Sequence, residues 1–399
     1  MSYSQYKRSN NHYGRATFQK RQRPGGGRQF KKDYINTSRY IQSAKPATDA
    51  VYQPTHAFAD FAMHPIIQKN LLQMGFETPS PIQDQTIPAG LAGRDVVGIA
   101  NTGTGKTAAF AVPVLHRLMS EKTAYALILA PTRELAQQIE EQCRSIASAS
   151  GLTGALLIGG VSMRPQLRDL RGDPRIVIGT PGRIKDHAER GTLRLSRFNT
   201  VVLDEVDRML DMGFINDIRH ILGRTAPAKQ SFFFSATLDG KVKAIIDGFS
   251  KDPVHVTVKT GDTSDNVDQN IVTYSHRGEK IDKLHDLLLQ DSVLKTLVFD
   301  DTHRSVERLC KELQSRGFDT DAIHGGKSQS QRQRALKRFR DNQVKVLVAT
   351  DVAARGLDVV DITHVVNYST PQSYGDYIHR IGRTGRAGRA GYALTFVEQ

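Results

Sequence analysis

Short apolar runs alternating with amphipathic segments constrain this chain more than any other feature. From Phe58 onward the runs fall at 95–100, 126–130, 155–158, 176–179, 200–203 and 231–234, then again at 272–275, 296–299, 320–323, 345–349, 363–367 and 392–396. Many are unbroken stretches of Val, Ile and Leu, the pattern of strands covered on both faces. Helical segments lie between them, so the series reads as βαβ units and an α/β fold with mainly parallel sheet. The series occurs twice, and 399 residues suit two domains with a tail to spare. A polar, turn-rich stretch at 259–266 separates the two series. The expected division is a first domain at 55–258, a linker at 259–267 and a second domain at 268–399.

The segment before Phe58 has a different character. Residues 1–50 hold eleven Lys and Arg against two acids, a net +9 out of +14 for the whole chain. Tyr3, Tyr6, Tyr13, Phe18, Phe30, Tyr34 and Tyr40 are spread among these cations. Without apolar periodicity, residues 1–54 are expected to be a disordered basic tail. Its cations suit a polyanion and its rings suit unpaired bases, so an RNA tether is favoured over a merely solubilising extension. No apolar stretch approaches the roughly 20 residues that span a bilayer, and no secretory signal is legible. No membrane association is expected, and the cytoplasm is the expected compartment. Cys143 and Cys310 stand far apart in helix-like surroundings, as reduced, packed thiols would, and neither belongs to a metal-ligand pattern.

Two motifs carry nucleotide chemistry. The run 95–100 leads into Asn101-Thr102-Gly103-Thr104-Gly105-Lys106-Thr107 and an apolar helix start. Apart from Ala100 at its first position, this is the glycine-rich phosphate loop in the strand–loop–helix setting it requires. Gly103 and Gly105 let backbone N–H groups crowd phosphates, and the helix N-terminus favours an anion. Lys106 suits the β- and γ-phosphates and the Thr107 hydroxyl suits Mg²⁺. About one hundred residues later Asp204-Glu205-Val206-Asp207 follows an apolar run. Asp204, at the strand's end, suits Mg²⁺, and Glu205 suits polarisation of an attacking water. An acid run alone is weak evidence, since such runs are common on solvated surfaces. After a phosphate loop in the same series, it makes the chain a nucleoside-triphosphate hydrolase.

The further motifs, in their order, resemble those of the DEAD-box RNA helicases of superfamily 2. The resemblance covers everything from Phe58 to the C-terminus and implies two tandem RecA-like domains with ATP and RNA held between them. Residues 75–83 stand where the family has its Q motif, which implies Gln83 on the N6/N7 edge of adenine with Phe58 and Phe76 at or near the base. Pro131-Thr132-Arg133-Glu134-Leu135, Gly159-Gly160 and Thr180-Pro181-Gly182-Arg183 match first-domain RNA-binding motifs. Ser235 and Thr237 match the motif that couples the two ligands by bonding the 204–207 loop.

In the second domain the resemblance implies RNA contacts from Arg304, Gly325, Gln329, Arg332, Thr350 and Arg355, and a ribose contact from Asp358. Arg383 and Arg386 would be the arginine fingers, whose planar guanidinium forks can hold charge building on the γ-phosphate. His379 and Arg380 would brace the interface against the 204–207 loop. The chain departs from the family pattern at Val206, Asn101, Ser80, Gly326 and the pair Asp300-Asp301.

The implied activity is RNA-stimulated hydrolysis of ATP with Mg²⁺, driving local strand separation by a monomer that grips RNA mainly through its backbone, with no protein partner indicated. An ATP-gated RNA clamp is the alternative, and a DNA translocase would carry other motifs at Gln83 and at 180–183. The chain stops ten residues after Arg389, either as a minimal core with an N-terminal tether or as a longer protein cut there, and the compact core resembles a bacterial one.

Overall fold

The computed structural model describes residues 36–44, 52–101, 103–258, 266–354, 359, 361–385 and 389–399. Thr102, Arg355, Asp358 and Arg386, most of the linker and most of the basic tail lie outside the described residues.

All twelve apolar runs lie in strands. The first sheet holds β1 (Val96–Ile99), β2 (Ala126–Leu129), β3 (Gly154–Leu157), β4 (Ile176–Gly179), β5 (Thr200–Leu203), β6 (Gln230–Ser235) and β7 (Val254–Thr257). The second holds β8 (Val267–Tyr274), β9 (Thr296–Phe299), β10 (Thr320–Ile323), β11 (Val346–Ala349), β12 (His364–Asn367) and β13 (Gly391–Glu398). Their orders are β3-β4-β2-β5-β6-β1-β7 and β10-β11-β9-β12-β13-β8. Every pairing between these strands is parallel. Successive residues of a strand point to opposite faces, so each sheet feeds two cores. Phe232 and Phe234 enter one core of the first sheet and Phe233 the other, while β9 divides Val298 from Leu297 and Phe299 in the second.

Two strand boundaries differ from the expectation. The edge strand β7 was not anticipated, because Val-His-Val-Thr alternates instead of forming an apolar run. The other edge strand, β8, begins at Val267, five residues ahead of its apolar run. Its leading half is polar, yet Gln269 is buried, because its side chain accepts from the Tyr377 hydroxyl at 2.8 Å and its backbone pairs with Gln42.

That pairing corrects the tail as well. Residues 36–44 were expected to be disordered, but Thr37–Tyr40 form a 3-10 turn and Tyr40 is buried on the second sheet. One aromatic ring with a shaped apolar pocket is enough to offset the ordering of a short segment. Among the described residues no helix is long and apolar enough to cross a membrane.

Parallel strands return through crossover helices, so their C-terminal ends share one edge of the sheet, where ligands of such folds bind. The loops after β1 to β6 and β9 to β11 carry nearly all the motifs. Close packing fixes those loops. A Cβ placed on Gly179, at the end of β4, would meet the Leu157 carbonyl oxygen at 2.2 Å, whereas one on Gly182 would meet nothing within 4 Å. Gly179→Ala is therefore expected to lower stability by about 1–3 kcal/mol through overpacking against backbone. Gly182→Ala should leave the urea unfolding midpoint unchanged, and equal midpoints for the two variants would contradict this packing.

Candidate functional site

The phosphate loop is held from three sides. Ala100 donates its backbone N–H to Ser235 at 3.0 Å, the Thr104 hydroxyl donates to the Asn101 carbonyl at 2.8 Å, and Lys106 Nζ donates to the Ala100 carbonyl at 3.1 Å. Gly103 and Gly105 have φ of 86° and 90°, a region that glycine enters without strain. Gly105 then opens the helix Lys106–Ser120. Gln83 Nε2 donates to the Gly105 carbonyl at 3.0 Å, while its Oε1 accepts from Ser80 N at 2.8 Å. The amide thus ties the Pro81–Leu91 helix to the loop, and a primary amide keeps one further N–H and one further lone pair after two such bonds. Phe58 is buried in the first core, edge-on to Phe76 at 5.4 Å between centroids, and only Phe76 of the two is partly exposed.

The acid loop is the electrostatic centre. Asp204 N donates to the Leu129 carbonyl at 3.0 Å, fixing the loop to β2. Burial pushes the Asp204 carboxyl up to about 6, against the pull of Lys106. Glu205 has φ of 54°, a left-handed conformation costly for a side chain bearing a Cβ and found mostly at functional sites. Burial would raise its carboxyl too, but the Arg208 guanidinium, then Lys106 and Arg383, holds it below the usual range. Arg208 donates to Glu205 at 2.9 Å, both side chains being only 4% exposed. Val206 is completely buried in the second core of the first sheet. Asp207 accepts from Ala236 N at 3.0 Å, Thr237 N at 3.1 Å and the Thr237 hydroxyl at 3.3 Å, and donates its own N–H to Ser235 Oγ at 3.3 Å.

The second half meets this loop through His379. Burial, aided by Arg208, lowers the His379 imidazole to about 4, so Nδ1 stays a neutral acceptor for Arg208 NH2 at 3.4 Å. Arg383, 3% exposed, lies close enough to help hold Glu205 ionised. Arg380 does not face the acid loop, contrary to expectation. It is buried within its own half, bidentate to Asp351 at 2.6 and 2.7 Å, and donates to the Ser369 carbonyl at 2.6 Å. Acceptors within its own half engage most of its five N–H donors, which holds the buried guanidinium there.

A groove of about 410 Å³ runs along the same edge, lined by Pro131, Thr132, Arg133, Thr180, Gly182 and Arg183 of one half and Gly325, Arg332 and Val352 of the other. Thr132 caps the Arg133–Ile146 helix by accepting from Leu135 N at 3.2 Å. Arg133 lies against Gly160, whose φ of 72° and missing Cβ make room for the guanidinium. Pro181 is buried as the first residue of its helix, and Arg183 donates to the Val161 carbonyl at 3.3 Å. Arg304 lines a separate open basin with His303 and His324. Thr350 is buried with a hydroxyl that has no partner among the described residues.

Gln329 and Arg332, expected at RNA, are both buried against the other half: Arg332 lines the groove and pairs with Glu134 at 2.9 Å, and Gln329 donates to Glu134 at 3.3 Å and Gln137 at 3.1 Å. Glu134 was read only as part of an RNA-binding motif, not as an ion-pair partner, and Arg208 was passed over. An acid inside a run otherwise suited to phosphate signals an ion-pair partner elsewhere, and Arg208 stands at the i+3 spacing from Glu205 that favours pairing on a helix.

Residues 80–245 match the DEAD/DEAH box helicase family model and 279–388 match the helicase conserved C-terminal domain. The chain is 44% identical over 345 residues to the DEAD-box ATP-dependent RNA helicase CshA of Bacillus subtilis, which spans 86% of this chain and 70% of that protein. It is 43% identical over 345 residues to the RNA helicase CrhR of Synechocystis sp., with coverages of 86% and 70%. Mss116p bound to ssRNA and AMP-PNP superposes with a TM-score of 0.79 at 29% identity, over 89% of this chain and 77% of that one. S. cerevisiae Dbp5 bound to RNA and ADP BeF3 gives 0.76 at 29% identity, over 86% and 90%. With these relatives and this order of motifs, the chain belongs to the DEAD-box ATP-dependent RNA helicases.

Proposed function

We propose that the chain hydrolyses ATP between its two halves and uses the closed arrangement to bend and locally separate RNA. The observation that carries this reading is the set of contacts from one half to the other: His379 on Arg208 and Arg332 with Gln329 on Glu134. They draw Arg383 to the buried acid Glu205, so one pocket has groups from both halves. Halves 55–258 and 268–399 are read as the bodies that close. Gln83, with its remaining N–H and lone pair, selects adenine, and Phe76 packs near the base. The backbone of 100–105 and Lys106 hold the phosphates, while Glu205 orients the attacking water and Arg383, with Arg386, receives the charge that builds on the γ-phosphate.

Asp204 and Thr107 fit Mg²⁺, which supplies charge neutralisation at the phosphates. A carboxylate held this far from water beside two further acids gains by facing a cation. Among the described residues no three His, Cys, Asp or Glu converge on a metal site. That agrees with an ion held by one or two protein groups and the phosphates. RNA lies in the groove of Arg133, Thr180 and Arg183, through backbone contacts and hence with weak sequence preference. The protein acts as a monomer in the cytoplasm.

ATP turnover should rise steeply when single-stranded RNA is added, and Arg383→Ala should abolish the rise while leaving the protein folded. Turnover indifferent to RNA would contradict the coupling. The Asp204 shift gives a second check, made without nucleotide. The folded-state value, about 6, lies above the ordinary 3.8, so the folded protein keeps a proton that the unfolded chain has released. Stability is therefore lost as pH rises through that window, and the loss is complete at pH 7. Asp204→Asn should raise the thermal midpoint at pH 7.5 by about 2–4 °C, and by nothing near pH 3.5. A midpoint lowered at pH 7.5 would contradict the assignment.

A further inference from the structure

The described residues on either side of 45–51 are fastened to opposite halves of the nucleotide site. On the second half, Gln42 exchanges both backbone hydrogen bonds with Gln269 at 3.0 and 2.8 Å, adding an antiparallel pair to the free edge of β8. The Tyr40 ring meets Tyr377 edge-on with centroids 4.8 Å apart. It closes a small core with Val267, Ile381 and Ala393. The Arg39 guanidinium lies 4.5 Å from the centre of the Tyr374 ring. Tyr374, Tyr377 and Ile381 belong to the helix Tyr374–Ile381, which also carries His379 and ends two residues before Arg383.

On the first half, one buried acid gathers the chain. Asp84 accepts from the Tyr52 hydroxyl at 2.6 Å and Thr55 N at 2.8 Å, and contacts His56 Nδ1 at 2.7 Å. Burial would raise its carboxyl, but these three partners together hold it below the ordinary value. Asp84 follows Gln83, whose amide is bonded to the phosphate loop.

We infer that Tyr40 is a positioning residue for ATP hydrolysis. This rests on the inter-domain hydrolysis site proposed above. The Tyr374–Ile381 helix has only eight residues, and a helix that short gains its stability and its setting from packing. Tyr40 supplies that packing on the side away from the cleft. A shift of the helix by an ångström would carry His379 and Arg383 off Arg208 and Glu205, where small misplacements cost large factors in rate. Among the described residues the Tyr40 hydroxyl has no hydrogen-bond partner, so the ring does the positioning.

The test uses full-length Tyr40→Ala, Tyr40→Phe and Gln42→Pro, the last removing the N–H that bonds Gln269 without touching the small core. Tyr40→Ala and Gln42→Pro should lower RNA-stimulated kcat about ten-fold, leaving the affinity for a fluorescent ATP analogue without RNA within about two-fold. Tyr40→Phe should match the parent in both. If Tyr40→Ala fails to fold, by its thermal midpoint, Gln42→Pro decides. Parental kcat in folded Tyr40→Ala or in Gln42→Pro overturns the inference, as does a kcat for Tyr40→Phe as low as that of Tyr40→Ala. Arg383→Ala in parallel separates the two ideas: if it stays active the hydrolysis site itself is wrong, and if it is inactive beside a fully active Tyr40→Ala only the positioning role fails.

Discussion

A glutamate buried at the end of β5 stays ionised only while a guanidinium lies against it. Glu205 and Arg208 are that pair, and an unpaired charge at such burial would cost several kcal/mol. The pair also extends past its own half, because the second amine of Arg208 reaches the neutral imidazole of His379. One arginine therefore holds a candidate catalytic acid and senses whether the second half has arrived. The strained φ of Glu205 and the raised carboxyl of Asp204 are costs of the same design, accepted where chemistry needs acids away from water.

Asp207 spreads this arrangement further. Its carboxylate takes two backbone N–H groups and a hydroxyl from Ala236 and Thr237, so the loop after β6 cannot move without disturbing the acid loop. Along the same edge, Glu134 ties the helix behind the RNA groove to Arg332 of the second half. In the function proposed above, nucleotide and RNA face two parts of one interface. Whatever favours its closure at one part favours it at the other, with no need for a pathway through either core.

Most of the fold was legible because parallel sheets bury both faces and so write continuous apolar runs. What escaped lies at the edges, where that rule lapses: the alternating residues of β7 and the polar first half of β8. The phosphate loop and the acid loop were legible because each chemistry needs its residue types at fixed spacing, whereas the groove residues were legible only through the resemblance of the whole ordered set of motifs to the helicase family. Pairing was harder to read. Arg380 is a cation in a motif full of cations, and nothing local says that Asp351 and Ser369 consume it. Gln329 and Arg332 are suited to phosphate, and only the fold reveals Glu134 opposite them. Tyr40 was taken for one aromatic among many in a basic tail, since its pocket is built from Val267, Tyr377 and Ala393, far away in the chain.

The account depends on both ligands drawing the same two halves together, and binding at equilibrium tests this most directly. Single-stranded RNA affinity is measured with and without a non-hydrolysable ATP analogue, and analogue affinity with and without RNA. Each ligand should tighten the other by the same factor, on the order of 5–150-fold. A factor of one in both directions would mean that the halves bind their ligands independently, and the composite site would have to be abandoned.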